Sequence, residues 1–329
     1  MESSEPAPDV MVRFRRWAAI AVAVAVLGYV GYAVWKGLSE TTAELAGFSW
    51  GLYLPVIGLT GVNYGLRYLK WNYLLERLGI HVPHRVNIWI FLAGLAMVIS
   101  PAKAGEILKP YLVRVCADGP VVRTVPALVV ERGTDGLSVV ILAAIGVSTY
   151  YAEARSALLW TIGLSFALVG AISIRPLAIG ILHAVAKFEP LKNTAARLED
   201  VYEATRVCLE PAPFLITMVL SLVAWVAECV GYWLVFRGLG VHTTIGAATF
   251  LYAFATVFGA PSPGGMGMAD AALVEGAVSM IDTITGPQAL AASLLIRIAT
   301  LWLGVGIGAV ALLRIETVIA DARANHGEK

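Results

Sequence analysis

Lys103, Glu106 and Lys109 are spaced by three residues, so on a helix they share one face, a basic face carrying one acid, and can pair with one another. Glu131 and Asp135 lie four apart and share another face, with Arg132 beside them. Asp270 and Glu275 stand in a stretch with no Lys or Arg between Arg237 and Arg297. These residue types suit the handling of an anion, with Lys103, Lys109, Arg132 and Arg297 holding it while Glu106, Glu131, Asp135 and Asp270 exchange protons or balance charge. The competing reading is a set of ion pairs that only holds helices together, such as Arg132 or Arg297 with Glu228 or Asp270. No catalytic triad, metal cluster or phosphate-binding Gly-Lys-Ser loop appears, so no catalytic residue, metal or cofactor is expected.

Two backbone motifs flank these charges. Ser100-Pro101-Ala102-Lys103-Ala104-Gly105 and Ser262-Pro263-Gly264-Gly265-Met266-Gly267 each put proline where it stops a helix. Gly105, Gly264, Gly265 and Gly267 then let the chain turn. The half-helix that restarts has free N–H groups and a positive dipole end, which favour anions.

The solvent around these motifs follows from composition. Of 329 residues 58% are hydrophobic and 14% charged, with net charge +1, which excludes an ordinary soluble domain. Apolar runs predict an all-α polytopic membrane protein with about six full spans, near 17–37, 50–75, 124–149, 157–182, 212–237 and 288–313. Residues 87–100 and 245–260 are too short to cross and end at the Ser-Pro motifs, so each reads as a re-entrant broken-helix hairpin. Most Lys and Arg fall on one side of this layout, Arg67 and Lys70 among them; Lys36, Arg155 and Arg237 lie opposite. The positive-inside rule then places both termini in the cytoplasm of a cell (inner or plasma) membrane. Residues 1–16 and 315–329 become cytoplasmic tails around one membrane domain, 17–314, and 187–211 reads as an amphipathic surface segment. Trp17, Trp35, Trp50 and Trp71 read as interfacial anchors. Gly304 and Gly308 read as a close helix contact, within one molecule or between protomers. Cys116, Cys208 and Cys229 give no disulfide framework or metal spacing.

The layout repeats. Leu78-Gly79-Ile80-His81 and Leu239-Gly240-Val241-His242 each precede a short apolar run, a Ser-Pro motif and a long helix with an arginine about two turns in, Arg132 or Arg297. The repeats, about 50–149 and 212–313, enter from opposite sides. Inverted repeats with interrupted helices are the pattern of secondary transporters, whose sites form where the breaks meet.

Taken in order, several segments resemble the membrane region of the lysylphosphatidylglycerol synthase and flippase-like family. They are Asn63 to Leu78 with Arg67, Tyr68 and Trp71; Ser100-Pro101-x-Lys103-x-Gly105-Glu106; Glu131-Arg132 with Asp135; Pro263-Gly264-Gly265-x-Gly267; and Arg297. The likeness runs from about residue 13 to 314, with Asp270 where relatives often carry Glu. It implies a bacterial or archaeal flippase-like membrane protein, in some members joined to a lipid-aminoacylating domain. The polar stretch at 187–211 is far too short for such a domain, so aminoacyl transfer is not expected.

The resulting expectation is a non-enzymatic flippase or transporter for a lipid or lipid-linked headgroup. Its partners would be phospholipid or polyprenyl-phosphate-linked lipids and a membrane enzyme, with no nucleic acid. A soluble-solute secondary transporter, an intramembrane lipid-phosphate enzyme using Glu131 and Asp135, and an accessory subunit of a glycosyltransferase or lipid synthase stay open as alternatives.

Overall fold

The computed structural model describes residues 38–100, 105–117, 121–148 and 201–327, with single residues between 23 and 31 and between 156 and 167. The spans expected at 17–37 and 157–182, Trp17, Trp35, most of 187–211, and Pro101 with Lys103 lie outside the described residues. Every regular element among the described residues is helical.

The helices are α1 (Leu38–Ala46), α2 (Tyr53–Arg77), α3 (His84–Ala96), α4 (Leu108–Ala117), α5 (Val125–Ser148), α6 (Pro211–Gly238), α7 (Ile245–Phe258), α8 (Met268–Met280), α9 (Gly286–Arg297) and α10 (Leu303–Gly327). A π-helical turn, Ile298–Trp302, joins the last two. Among the described residues two continuous stretches, Pro211–Gly238 and Gly286–Ala320, are long and apolar enough to cross a membrane. Glu40–Ala46 and Trp50–Arg77, bent by 76° at their junction, make a third if taken as one broken span. The final helix runs well past 313, where the apolar run fades but Arg314 and Glu316 still suit a helix.

Local chemistry sets the helix ends. Pro211 opens α6, and the Thr244 side chain accepts from Ala247 N to cap α7. Both Leu-Gly-x-His segments stop their helices alike. Ile80 N donates to Leu75 O and Val241 N to Phe236 O, each at 2.9 Å, around Gly79 and Gly240 in the left-handed region.

The Ser-Pro motifs do break their helices. α3 tightens into a 3-10 turn at Met97–Ile99 and ends at an extended Ser100. α7 ends before Pro263–Gly265, where Gly264, Gly265 and Gly267 all have positive φ. Gly105 serves differently: it approaches so closely that a Cβ would lie 2.9 Å from Ser100 Oγ, which accepts from Gly105 N at 2.8 Å.

Packing brings the breaks together. α2 lies along α6, α3 along α10 and α5 along α7, while α7 and α8 pack side by side, as do α3 and α4. The turns Met97–Ile99 and Pro263–Gly265 touch, sealed by an apolar knot of Ile99, Leu301 and Val305. Gly304 faces the Tyr64 hydroxyl and Gly308 faces the Ala96 backbone, so this glycine pair packs inside the molecule. A Cβ on Gly308 would overlap Ala96 N, which cannot yield as a flexible side chain would. Gly308→Val is therefore expected to destabilise the protein by about 1–3 kcal/mol. Thermal unfolding in detergent checks this, with Gly306→Val, at an open position, as the neutral control.

Candidate functional site

α5 is the centre of the charged site. Its helical period puts Glu131, Thr134, Asp135 and Ser138 on one buried face, and four cations converge there. Lys70, fully buried on α2, donates to Asp135 Oδ1 at 2.5 Å and Ser221 Oγ at 2.6 Å, and to the Glu131 carbonyl at 3.2 Å. Lys109 from α4 meets Glu131 Oε2 at 2.5 Å, with its ammonium 4.3 Å from the centre of the Trp71 ring. Arg132 lies 3.2 Å from Glu106 and 3.3 Å from Asp135, and also donates to Glu131. Arg67 completes the ring at 3.6 Å from Asp135 and 3.9 Å from Glu131.

Among the described residues four cations thus stand against three carboxylates. Each carboxylate is stabilised in an apolar interior only because cations and hydroxyls replace lost water.

This arrangement corrects the pairing expected along the first hairpin. Glu106 sits in the 3-10 turn at 105–107 and pairs across to Arg132, and Lys109 pairs across to Glu131, so neither pairs along its own face with the other. Lys109 is also a poor ligand group, since its side chain is 4% exposed and its stem lies over Gly94. Arg132 keeps 25% of its side chain exposed and is the accessible cation of the set.

The second centre lies at the other break. Asp270 accepts from Gly267 N at 2.9 Å, so the chain's own carboxylate occupies the half-helix start that was expected to attract an external anion. Arg297 lies 3.0 Å from Asp270 and donates to the Gly264 carbonyl at 2.7 Å, clamping the left-handed turn. The sequence had offered this pair as a purely structural one, and it does brace the break.

Two spaces adjoin these charges. An inner cavity of about 110 Å³ lies between the breaks and includes Tyr64, Arg67, Trp225, Glu228, Tyr252 and Arg297 in its wall. A groove of about 700 Å³ runs between α5 and α7, with Glu106, Arg132 and Asp135 at one side and Leu128, Val129, Val139 and Val257 along it. Trp225, Thr256 and Ala260 line both, so the two spaces adjoin. The π turn contributes as well, because its Thr300 O accepts from Tyr64 Oη at 2.5 Å.

Arg67, Lys70, Tyr64, Trp225 and Tyr252 were not among the site residues expected from the sequence; Glu228, a charge within a span, was a candidate either for function or for a structural ion pair. Arg67 and Lys70 had been counted as charges at the inner end of a span, yet both turn toward α5 and are buried or nearly so. The usable signal was Tyr64, Arg67 and Lys70 at spacings of three, which put them on one face of α2.

The family model for the lysylphosphatidylglycerol synthase TM region matches residues 16–308, and the chain belongs to that family. With its apolar helices, it is an all-α membrane protein. A UPF0104 membrane protein of Methanothermobacter thermautotrophicus is 30% identical over 97 residues. That match spans 29% of this chain and 28% of the relative.

Asp135→Leu strands the buried Lys70 ammonium, whose ion pair among the described residues is with Asp135, and is expected to destabilise by about 3–5 kcal/mol, whereas Lys70→Met costs less because Arg132 and Arg67 stay beside Asp135. The Lys70→Met/Asp135→Leu double variant should recover much of that loss. A thermal-unfolding double-mutant cycle measures the recovery.

Proposed function

We propose that this member of the lysylphosphatidylglycerol synthase TM family is a flippase for lipids or lipid-linked molecules with an anionic headgroup. The observation that carries the reading is the groove. It presents one accessible arginine, Arg132, at an otherwise largely apolar trough that adjoins a cavity walled by Arg67, Glu228 and Arg297 between two broken helices. A headgroup docks on Arg132 while its tails remain with the apolar residues. The inner cavity lies on its route across the bilayer.

The helix packing supports an inverted repeat with re-entrant hairpins. If α2, α3, α4 and α5 correspond to α6, α7, α8 and the α9–α10 pair, the packing of α3 on α10 has its counterpart in that of α7 on α5. The contacts of α2 with α6, and of one break with the other, map onto themselves. Such reciprocal packing lets one half rock against the other around a fixed site. The reading assigns no chemical step, so the protein acts as a transporter and not as an enzyme. It places the protein as a multi-pass inner-membrane protein with cytoplasmic termini and membrane lipids as its partners.

Headgroup translocation in proteoliposomes tests the reading, with phosphatidylglycerol, zwitterionic phospholipid and polyprenyl phosphate as cargoes. The parent is expected to accelerate translocation of at least one anionic lipid, and Arg132→Ala to slow it by about tenfold or more, as loss of a charged hydrogen bond implies. A folded parent that moves none of these lipids contradicts the proposal.

A further inference from the structure

The inner cavity holds one buried acid that the ion pairs leave out. Glu106, Glu131, Asp135 and Asp270 have cationic nitrogens at 3.2, 2.5, 2.5 and 3.0 Å, respectively. Glu228 on α6 is buried, and among the described residues it has no Lys or Arg nitrogen within 4.0 Å. It accepts a hydrogen bond from the neutral Tyr252 hydroxyl. The charged and titratable groups around it are Tyr64 and Arg67 from α2, Asp135 from α5, Tyr252 from α7, Arg297 from α9 and Cys229 on its own helix.

The cations beside it are incompletely used. The Nε of Arg67 is buried without a hydrogen-bond acceptor, and its carboxylate neighbours at 3.6 and 3.9 Å are beyond normal N–H···O reach. Arg297 also reaches the cavity, but Asp270 already balances its charge. With Glu228 ionised, its charge would offset that of Arg67 and leave the empty cavity close to neutral. An added anion would leave one uncompensated negative charge in a low-dielectric interior, which is strongly unfavourable. A proton on Glu228 restores the balance, and the Tyr252 hydroxyl can rotate from donor to acceptor to suit the carboxylic acid.

We propose that the inner cavity binds a singly charged phosphodiester-type oxyanion on Arg67 and Arg297 together with one proton on Glu228. The volume of about 110 Å³ accommodates several waters, hence a phosphate-sized group and not a whole lipid. Anion and proton enter and leave as a pair. Once the proton departs, the ionised Glu228 carboxylate repels the anion and itself offsets the Arg67 charge. The bound state holds one extra proton, so affinity rises as pH falls, by up to about tenfold per pH unit while free Glu228 is ionised.

This inference rests on the flippase reading for its cargo, but its test reads binding and not transport. Full-length protein in nanodiscs is titrated with dimethyl phosphate, which keeps a single charge across about pH 5–8. Calorimetry in buffers of different ionisation heat counts the protons. The parent is expected to take up close to one proton per anion, Glu228→Gln to bind with a flat pH profile and no uptake, and Arg67→Gln to lose binding. No binding by the folded parent, binding without proton uptake, or unchanged uptake in Glu228→Gln overturns the proposal. The parent measurement alone decides if a variant fails to fold. Lipid translocation without linked uptake rejects the coupling alone, whereas linked uptake without lipid translocation supports the coupling and rejects the flippase reading.

Discussion

A charge in hydrocarbon has to bring its own neutralisation, and in this protein that requirement falls on Glu131 and Asp135 of α5. Water cannot screen them, so four cations must come within reach from α2, α4 and α5 itself. Meeting that demand fixes much of the architecture. It holds α2 and α6 against α5 through Lys70 and Ser221, and draws the chain after the first break onto α5 through Glu106 and Lys109. The groove then lies where this network leaves one arginine partly uncovered.

The second break answers the same constraint with fewer parts. Its exposed backbone groups are taken by Asp270 and Arg297, so the turn is satisfied without an outside ligand. The two breaks consequently differ in character. One adjoins a dense charge cluster, the other a single ion pair, and between them lies a cavity with two arginines and an acid that has no ion-pair partner among the described residues. A site with its charge nearly balanced is poised, because a small change in protonation or occupancy shifts which pairing is favoured.

Much of this was legible in the sequence because it depends on local chemistry. Hydropathy located α2, α5, α6 and the α9–α10 run to within a few residues, apart from the extension beyond 313, since long apolar periodic stretches have few alternatives. The Ser-Pro-Gly runs gave the breaks for a steric reason, and the positive φ of Gly264, Gly265 and Gly267 bears that out. Partner choice was not legible. Glu106 and Lys109 look like a local pair by spacing, but each finds a better partner on α5, a tertiary contact that spacing cannot encode. Lys70 illustrates the same limit, because a lysine near a helix end looks the same whether it faces a loop or a buried Asp135. Asp270 was read as a charge-balancing acid; its capping of Gly267 N follows from its position at the start of α8, a local signal that went unused.

The central claim is that the space between the breaks is exposed alternately to the two sides of the membrane. Thr256 lines both the groove and the cavity, so a cysteine there reports directly on access. With Cys116, Cys208 and Cys229 replaced, Thr256→Cys protein in oriented proteoliposomes is treated with a membrane-impermeant thiol reagent from one side or the other. Labelling from both sides, with the balance shifting when an anionic lipid is added, is the predicted result. Labelling from one side only, whatever the lipid, would contradict alternating access and leave the groove a static binding surface.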